Sequence, residues 1–350
     1  MANPLDSMKS TWREADKSTW STHHYIIDFL NVYHTDLDKP VPVFSKDDKI
    51  PHIPQLPQHL WVMFYAMIPL GIHQALLSVY PLGVGRLAAF TLYFISFNAI
   101  IIREVHILRR LAHQHGFLDG DVHGRDGVPD IGVSRVAKSL YKTTGSRLAL
   151  AIYISYNPAI SPLDVMSQPS WWGWLLLEIG LYGIVLDFWF YWYHRAMHDV
   201  GGLWKFHRTH HLTKHPNPLL AAYADHEQEF FDMVGVPFMT YVTLRAIGLP
   251  LGFYEWWICH QYIAFTEVFG HSGLRVHLTA PSTMAWLLEI FDANIVVEDH
   301  DLHHRKGWRK SHNYGKQTRL WDRIFGTCID RIESKAQNVD YVNKGDMPIF

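Results

Sequence analysis

Eight histidines of this chain fall into three short clusters, and imidazole is among the commonest metal ligands in proteins. The clusters have the spacings H-x-x-x-H, H-x-x-H-H and H-x-x-H-H: His194 and His198; His207, His210 and His211; His300, His303 and His304. Residues three and four apart share one face of a helix, so each cluster is predicted to direct its imidazoles to one side. Chance pairs are expected among 24 histidines, but two H-x-x-H-H copies are not. Eight such ligands predict two transition-metal ions.

The first cluster follows directly on an apolar run, residues 174–193, which places the predicted metal chemistry at a membrane surface. Asp187, Tyr191, His194 and His198 lie four, three and four residues apart and form one helical stripe. Asp187 is predicted to orient a ligating histidine by accepting its second N–H, the alternative being a charge that reaches the interface. Tyr191 is a candidate site residue or an interfacial aromatic.

The composition describes a chain whose apolar residues are concentrated in segments. Of its 350 residues 48% are hydrophobic and only 18% charged, yet the mean hydropathy is −0.05. The net charge of −2 gives no reason to expect a nucleic-acid partner. Two cysteines, Cys259 and Cys328, exclude a disulfide framework and a multi-cysteine zinc site. No signal peptide is evident at the N-terminus, so membrane insertion is expected from internal segments.

Four regions are predicted along the chain. Residues 1–59 are polar and contain several prolines, which is typical of an extended cytosolic arm. Residues 60–170 contain a membrane hairpin (runs 60–80 and 87–102), a basic loop expected in the cytosol, and a weaker apolar run. Residues 171–330 form the catalytic region, and residues 331–350 a tail.

A second apolar pair, residues 230–251 and 253–269, is predicted to form another membrane hairpin. An even number of crossings between the histidine clusters then leaves all three on the cytosolic side with both termini. The fold class predicted is an all-α integral membrane helical bundle, with a cytosolic helical cap that carries the histidine clusters. The alternative is a soluble protein in which the same runs are core helices.

Ligand type and number narrow the chemistry. Structural zinc sites favour cysteine, and a hydrolytic zinc site needs an H-E-x-x-H or similar motif with a general base, which this chain lacks. A histidine-rich di-iron centre that activates O2 fits the ligand number better. Beside a bilayer, such a centre would reach an unactivated C–H bond of a lipid while the protein keeps water away.

The motifs as a constellation resemble those of the sterol desaturase / fatty-acid hydroxylase superfamily. They cover about residues 171–330 and read D-F-W-F-Y-W-Y-H-R-A-M-H (187–198), F-H-R-T-H-H (206–211), G-H-S-G (270–273), E-D-H-D-L-H-H (298–304), N-Y-G (313–315) and L-W-D-R-I-F-G-T (320–327). The resemblance implies an integral membrane enzyme of the endoplasmic reticulum with two iron ions, which uses O2. Electrons would come from NAD(P)H through a reductase and a cytochrome b5-type donor.

Carried over by position, the resemblance implies that the eight clustered histidines ligate iron and that His271 is a further ligand. The departure is Glu267, which stands where some members have a histidine; it is predicted to ligate iron or to orient His271, or else to end the hairpin at the interface. His226 and Glu229 resemble an H-P-x-E element without its proline. His215 is expected in a loop, and His260 as a buried polar contact.

The leading functional hypothesis is oxygen-dependent hydroxylation or desaturation of a C–H bond in a membrane lipid, most directly a sterol, another isoprenoid or a related lipid. Fatty acyl or sphingoid chains are the alternative substrates. Two hypotheses of other classes stay open: a hydrolase or ether-cleaving metalloenzyme, and a membrane metal carrier. Uptake of O2 during turnover separates the oxygenase from both.

Overall fold

The computed structural model describes residues 6–80 and 83–350. The first five residues of the predicted arm, and Pro81 and Leu82 in the turn between the first two apolar runs, lie outside the described residues. The fold class predicted from the sequence is confirmed: the chain is a helical membrane bundle with a cap that carries the histidine clusters.

The N-terminal arm is folded onto the body of the protein, and the prediction of an extended segment was wrong. It contains helix α1 (Thr22–Leu30) and strand β1 (Ile50–Ile53). The side chain of Trp12 is buried, and its indole N–H donates to the carbonyl of Val128 in the predicted basic loop. An aromatic residue in this polar segment is therefore a packing contact. A buried indole packs its ring on an apolar surface and donates its N–H to an acceptor.

Helices α2 (Gln55–Val79) and α3 (Arg86–His115) form the predicted first hairpin and are long and apolar enough to cross a membrane. At 1.5 Å per residue, 25 residues span about 38 Å, more than the hydrocarbon thickness of about 30 Å. The outer face of α2 exposes an apolar stripe at intervals of four residues, as expected against lipid: Leu60, Phe64, Ile68 and Ile72.

The predicted basic loop is largely helical. Helix α3 continues through its first part to His115, and α4 (Val133–Ser155) begins within it. After α4 the chain is back beside the α2–α3 turn, where the hydroxyl of Tyr156 donates to the carbonyl of Val84. Helices α5 (Pro162–Met166) and α6 (Pro169–Asp199) follow, and α6 is the third helix long and apolar enough to span.

The second apolar pair does not form two full membrane crossings. After α7 (Gly201–His207), its first arm is divided into α8 (His226–Phe230), one π-helical turn and α9 (Val236–Ala246). The 11 residues of α9 span only about 16 Å. Helix α10 (Phe253–Gly270) is buried around nearly its whole circumference and is the central helix of the bundle.

The C-terminal region completes the cap. It contains β2 (His277–Leu278), α11 (Ala285–Ile290), α12 (Val297–Lys306), α13 (Leu320–Phe325) and β3 (Val339–Asp340). Strand β1 lies between β2 and β3 and pairs with both in parallel, in the order β2-β1-β3. The N-terminal arm and the C-terminal tail therefore meet on the same side of the cap.

Candidate metal centre

Helix α6 runs without interruption from the apolar core to the histidines, which gives the first two a rigid support. His194 and His198 lie four residues apart in its last two turns and are both buried. The next cluster begins at the end of α7, where the Nε2 atom of His207 lies 2.9 Å from that of His194. A short 3₁₀ turn, His210–Leu212, then reverses the chain above them.

The nine predicted ligands come together in two groups. In the first group, the Nε2 atom of His211 lies 3.0 Å from that of His207 and 3.0 Å from that of His303. One ligand atom from each member lies within 4.8 Å of the others, and the members are His194, His198, His207, His211 and His303.

The second group has four members from three parts of the chain, all buried: His210, His271, His300 and His304. His271 follows directly on α10, and its Nε2 atom lies 3.0 Å from that of His300 and 3.4 Å from that of His210. The two groups adjoin, since the rings of His211 and His304 stack with their centroids 4.9 Å apart.

The prediction that each cluster directs all its imidazoles to one side was wrong. Pairs four residues apart stay together in one group, as His300 and His304 do, whereas His303 belongs to the other group. Adjacent residues on a helix are about 100° apart, so His303 and His304 face different directions. Each H-x-x-H-H cluster thus contributes to both groups and holds them side by side.

The donor set fits two transition-metal ions. Two imidazole nitrogens bound at right angles to one ion, each about 2.1 Å from it, lie about 3 Å apart. That is the Nε2–Nε2 spacing of 2.9–3.0 Å in the first group and between His300 and His271 in the second. The buried Nε2 atoms of His198 and His304 have no hydrogen-bond partner among the described residues, as expected of metal ligands.

Backbone carbonyls fix the orientation of five of these imidazoles. The Nδ1 atoms of His194, His198 and His303 lie 2.8, 2.8 and 2.6 Å from carbonyl oxygens of residues 314, 308 and 312. In the second group, Nδ1 of His271 and His304 does the same with residues 267 and 213. A carbonyl only accepts, so each Nδ1 carries the proton and each Nε2 presents a lone pair to the metal position.

Burial keeps the imidazoles neutral, which is the form that binds metal. Desolvation, together with neighbouring imidazoles such as His271, lowers the pKa of His210 to about 3. The pKa values of His211, His303 and His304 are lowered well below the usual range for the same two reasons. At neutral pH these groups therefore do not have to lose a proton before they ligate.

The acidic residues of α12 point away from the histidines and anchor the helix. The carboxylate of Glu298 accepts from the backbone N–H groups of residues 332, 333 and 334. Asp299 pairs with Arg331, and Asp301 with Arg125 at 2.5 Å. The E-D-H-D-L-H-H motif therefore combines three ligating positions with three positions that fix the helix.

Asp187 does not contact a histidine, and the prediction that it accepts an imidazole N–H was wrong. Its carboxylate accepts from the backbone N–H groups of Lys316, Gln317 and Thr318 at 2.8, 3.1 and 2.9 Å, and from the Thr318 hydroxyl at 2.9 Å. It thereby anchors the loop that carries the Tyr314 carbonyl to His194. Tyr191 is also away from the histidines.

The phenol ring of Tyr191 is fully buried and stacks on Phe325, with their centroids 5.3 Å apart. Its hydroxyl accepts from Arg195 at 2.9 Å and lies 3.2 Å from the hydroxyl of Thr327. Tyr191 thus ties α6 to α13 and the residues that follow, and the interpretation of it as a site residue has no support in these contacts.

Glu267 lies beside the second group without joining it. Its backbone carbonyl accepts from His271, and one carboxylate oxygen lies 3.8 Å from Nδ1 of the same ring. The other oxygen lies 3.1 Å from the ammonium of Lys316, which also pairs with Asp232 at 2.5 Å. The backbone carbonyl of Glu267 orients His271, whereas its carboxylate is too far from the ring for a hydrogen bond and is in neither histidine group.

Lys316 and Asp232 did not stand out in the sequence, although Lys316 directly follows the N-Y-G motif. Among the remaining histidines, His226 is exposed and contacts Glu229 at 3.4 Å, away from both groups. His260 is buried in α10, as predicted, between the rings of Tyr182 and Trp256.

His215 is a loop residue, as predicted, and lies 3.1 Å from the carboxylate of Asp119. Asp119 also contacts Lys46 at 2.6 Å and Arg305 at 2.8 Å. Burial opposes ionisation of Asp119, but hydrogen bonds from Lys46 and His215 and the charge of Arg305 outweigh it, so its pKa is lowered below the usual range. This cluster fastens the end of α12 to the loop after α3.

An apolar cavity ends on the second histidine group. Its walls come from α10 on one side and from residues 278–281 and 295–297 on the other, and Phe265, Phe269 and Pro281 are among them. At its inner end lie His271 and His300, with Glu267 and Lys316. A narrow apolar space that leads to metal-binding groups suits a hydrocarbon chain.

Comparison with known proteins identifies the class. The family model for fatty acid hydroxylases matches residues 179–327, which include all nine grouped histidines. Over 317 residues the chain is 45% identical to the fatty acid hydroxylase vlmA of Lecanicillium sp, an alignment that covers 87% of each chain. The chain therefore belongs to the sterol desaturase / fatty acid hydroxylase superfamily, as the motifs predicted.

More distant relatives align with about half of the chain. An alkylglycerol monooxygenase of Xenopus tropicalis is 27% identical over 194 residues, 54% of this chain and 37% of that protein. A Delta(7)-sterol-C5(6)-desaturase of Nicotiana tabacum is 27% identical over 172 residues, 48% of this chain and 56% of that protein. No solved structure matches. The relatives of this chain thus include lipid hydroxylases, monooxygenases and desaturases. Membership of their family identifies the chain as an oxidoreductase.

Proposed function

We propose that this protein is a di-iron membrane oxygenase that hydroxylates a C–H bond in the acyl chain of a lipid. The observation that carries the proposal is the apolar cavity that ends on His271 and His300. It brings a hydrocarbon chain to one of two histidine groups whose spacing fits metal ions. Two iron ions held there would supply an oxidant made from O2 and two electrons.

The acyl chain is favoured over the sterol that the sequence put first. The relative that aligns with 87% of this chain bears the name fatty acid hydroxylase, whereas the sterol desaturase aligns with 48%. The same name favours hydroxylation over desaturation. The sterol and sphingoid alternatives stay open as outcomes of substrate tests.

The chain's own residues have three tasks in this reaction. The nine histidines hold the iron, and five backbone carbonyls fix the direction of their lone pairs. Phe265, Phe269 and the facing wall of the cavity position the chain and exclude water. Lys316 holds the carboxylate of Glu267 beside the inner end of the cavity and balances its charge.

We further propose an endoplasmic reticulum location, with the histidine groups and both termini facing the cytosol. In that arrangement a cytochrome b5-type donor and its reductase deliver electrons from NAD(P)H. The basic residues between Arg103 and Arg147 support this orientation, because positive charge favours the cytosolic side of a membrane.

The metal-carrier alternative is disfavoured by burial, since all nine histidines lie in the interior on several elements and an ion there exchanges slowly. A hydrolase, including one that cleaves ethers by hydrolysis, would use the same residues without net reduction of O2. The experiment is turnover of the purified protein with acyl lipids, NADH, reductase and donor, while O2 uptake and products are followed. Hydroxylated acyl product with matching O2 uptake is expected. Product without O2 uptake, or stoichiometric zinc without iron, would overturn the proposal.

A further inference from the structure

A second, larger cavity lies on the other side of Glu267. It is lined by α3, α4, residues 218–224, α8, the π-helical turn after α8, and α10. Glu267 lines both cavities, so the two spaces meet at this residue beside the second histidine group. The wall of the second cavity has polar groups of its own, among them Ser139, Thr143, Arg147 and Asp232.

The side chain of Arg147 indicates that this cavity binds a ligand. Its side chain is on α4, the residue is only 5% exposed, and no carboxylate lies within 4.0 Å among the described residues. Within residues 6–80 and 83–350, its Nε has no hydrogen-bond partner, and one terminal nitrogen has only the sulfur of Met233, at 2.8 Å. A buried guanidinium without an oxygen acceptor is costly, so an oxygen-bearing ligand stabilises it.

The neighbouring carboxylates have contacts other than Arg147. Asp232 lies against Lys316 at 2.5 Å. One oxygen of Glu229 lies 3.4 Å from His226, and its other oxygen is buried without a hydrogen-bond partner among the described residues. The wall also includes the apolar side chains of Phe97, Ile101 and Met233. The site therefore combines one free guanidinium with walls suited to the first part of a hydrocarbon chain.

We propose that Arg147 binds the acyl oxygen of the substrate, a carboxylate or a carbonyl, and so fixes the head of the lipid in the second cavity. This inference rests on the proposed function. The chain then passes Glu267 into the first cavity, where His271 and His300 lie. Because the head is held and the methyl end is not, the position that is oxidised is counted from the acyl carbon.

Binding without turnover tests the guanidinium directly. Affinities of palmitic acid, palmitamide and hexadecane are measured on the intact protein by displacement of a fluorescent fatty acid. Arg147→Met is expected to weaken palmitic acid about 10- to 100-fold, the range for a hydrogen bond to a charged group, and to leave hexadecane unchanged. Lys142→Met removes a charge from an exposed position on the same helix and serves as the matched control.

Unchanged palmitic acid affinity in Arg147→Met, with melting temperature and iron content like those of Lys142→Met, would overturn the inference. If palmitamide follows palmitic acid, a neutral carbonyl suffices; if it does not bind, the ligand is the carboxylate, and both results support the site. Arg147→Lys, which keeps the charge but loses the bidentate geometry, is expected to give an intermediate affinity.

The wild-type protein provides a test that does not depend on any variant. Acids of 14, 16 and 18 carbons are turned over and the hydroxyl position is mapped by mass spectrometry. One constant distance from the carboxyl carbon is expected, and a constant distance from the methyl end would overturn the inference. Absence of all hydroxylation together with Arg147-dependent binding would refute the proposed function alone.

Discussion

Replacement of Asp187 by asparagine tests whether this residue anchors a loop or acts in the chemistry. Its two carboxylate oxygens accept three backbone N–H groups and one hydroxyl. In Asp187→Asn the amide oxygen can keep Lys316 and Gln317, but the amide nitrogen then faces the N–H of Thr318. One buried donor is orphaned and the retained bonds lose their charge, which together cost about 3 kcal/mol.

A loss of that size is measurable as thermal unfolding in detergent. At about 1.4 °C per kcal/mol for a chain of 350 residues, the melting temperature is expected to fall by roughly 4 °C. Iron content is expected to fall as well, because the loosened loop includes the Tyr314 carbonyl that orients His194. Asp199→Asn is the control on the same helix: it removes a surface ion pair with Arg195, worth at most about 1 kcal/mol. Unchanged melting of Asp187→Asn with lost turnover would refute the anchoring role.

Three further outcomes are expected. His303→Ala should lower iron content by at least half with membrane insertion intact, whereas His226→Ala should leave iron unchanged; equal effects in elemental analysis would contradict the grouping. Asp119→Asn should cost roughly 3 kcal/mol at pH 7, and because the folded pKa of this carboxyl is lowered, the difference from wild type should shrink as the pH falls below about 4. Gly273→Ala should lower the free energy of unfolding by about 2 kcal/mol or more, because Gly273 has φ +59° and an added Cβ would collide with Arg125. The midpoints of denaturant unfolding of the two proteins measure this difference.

The sequence predicted which histidines come together but not how they are divided. Spacing alone explains the pairs four residues apart, for example His194 with His198 and His300 with His304. The assignment of His303 to the group of α6 depends on how α12 lies against α6, a contact between residues more than 100 positions apart. Local periodicity contains no information on such a contact. The angle of about 100° between neighbouring helical residues explains only why adjacent histidines such as His303 and His304 face different groups.

The prediction of membrane segments succeeded for α2, α3 and α6 and failed for the second apolar pair. Hydropathy does not distinguish a helix surrounded by lipid from one surrounded by other helices. Polar residues within the run 253–269 did carry a signal, because Glu255, His260 and Gln261 are all buried in the protein interior. Such groups are costly in lipid, so their presence favours a central helix over a lipid-facing one.

The contacts of the segment 308–314 determine when during synthesis the proposed first iron site can be completed. Carbonyls of Trp308, His312 and Tyr314 orient His198, His303 and His194, and two of these contacts join residues 110 and 120 positions apart. Chains emerge from the ribosome N-terminus first, so α6 enters the membrane long before its imidazoles acquire their acceptors. In the proposed enzyme, iron would therefore be captured at the end of biosynthesis, and a chain that stops before residue 308 would insert into the membrane without a finished centre.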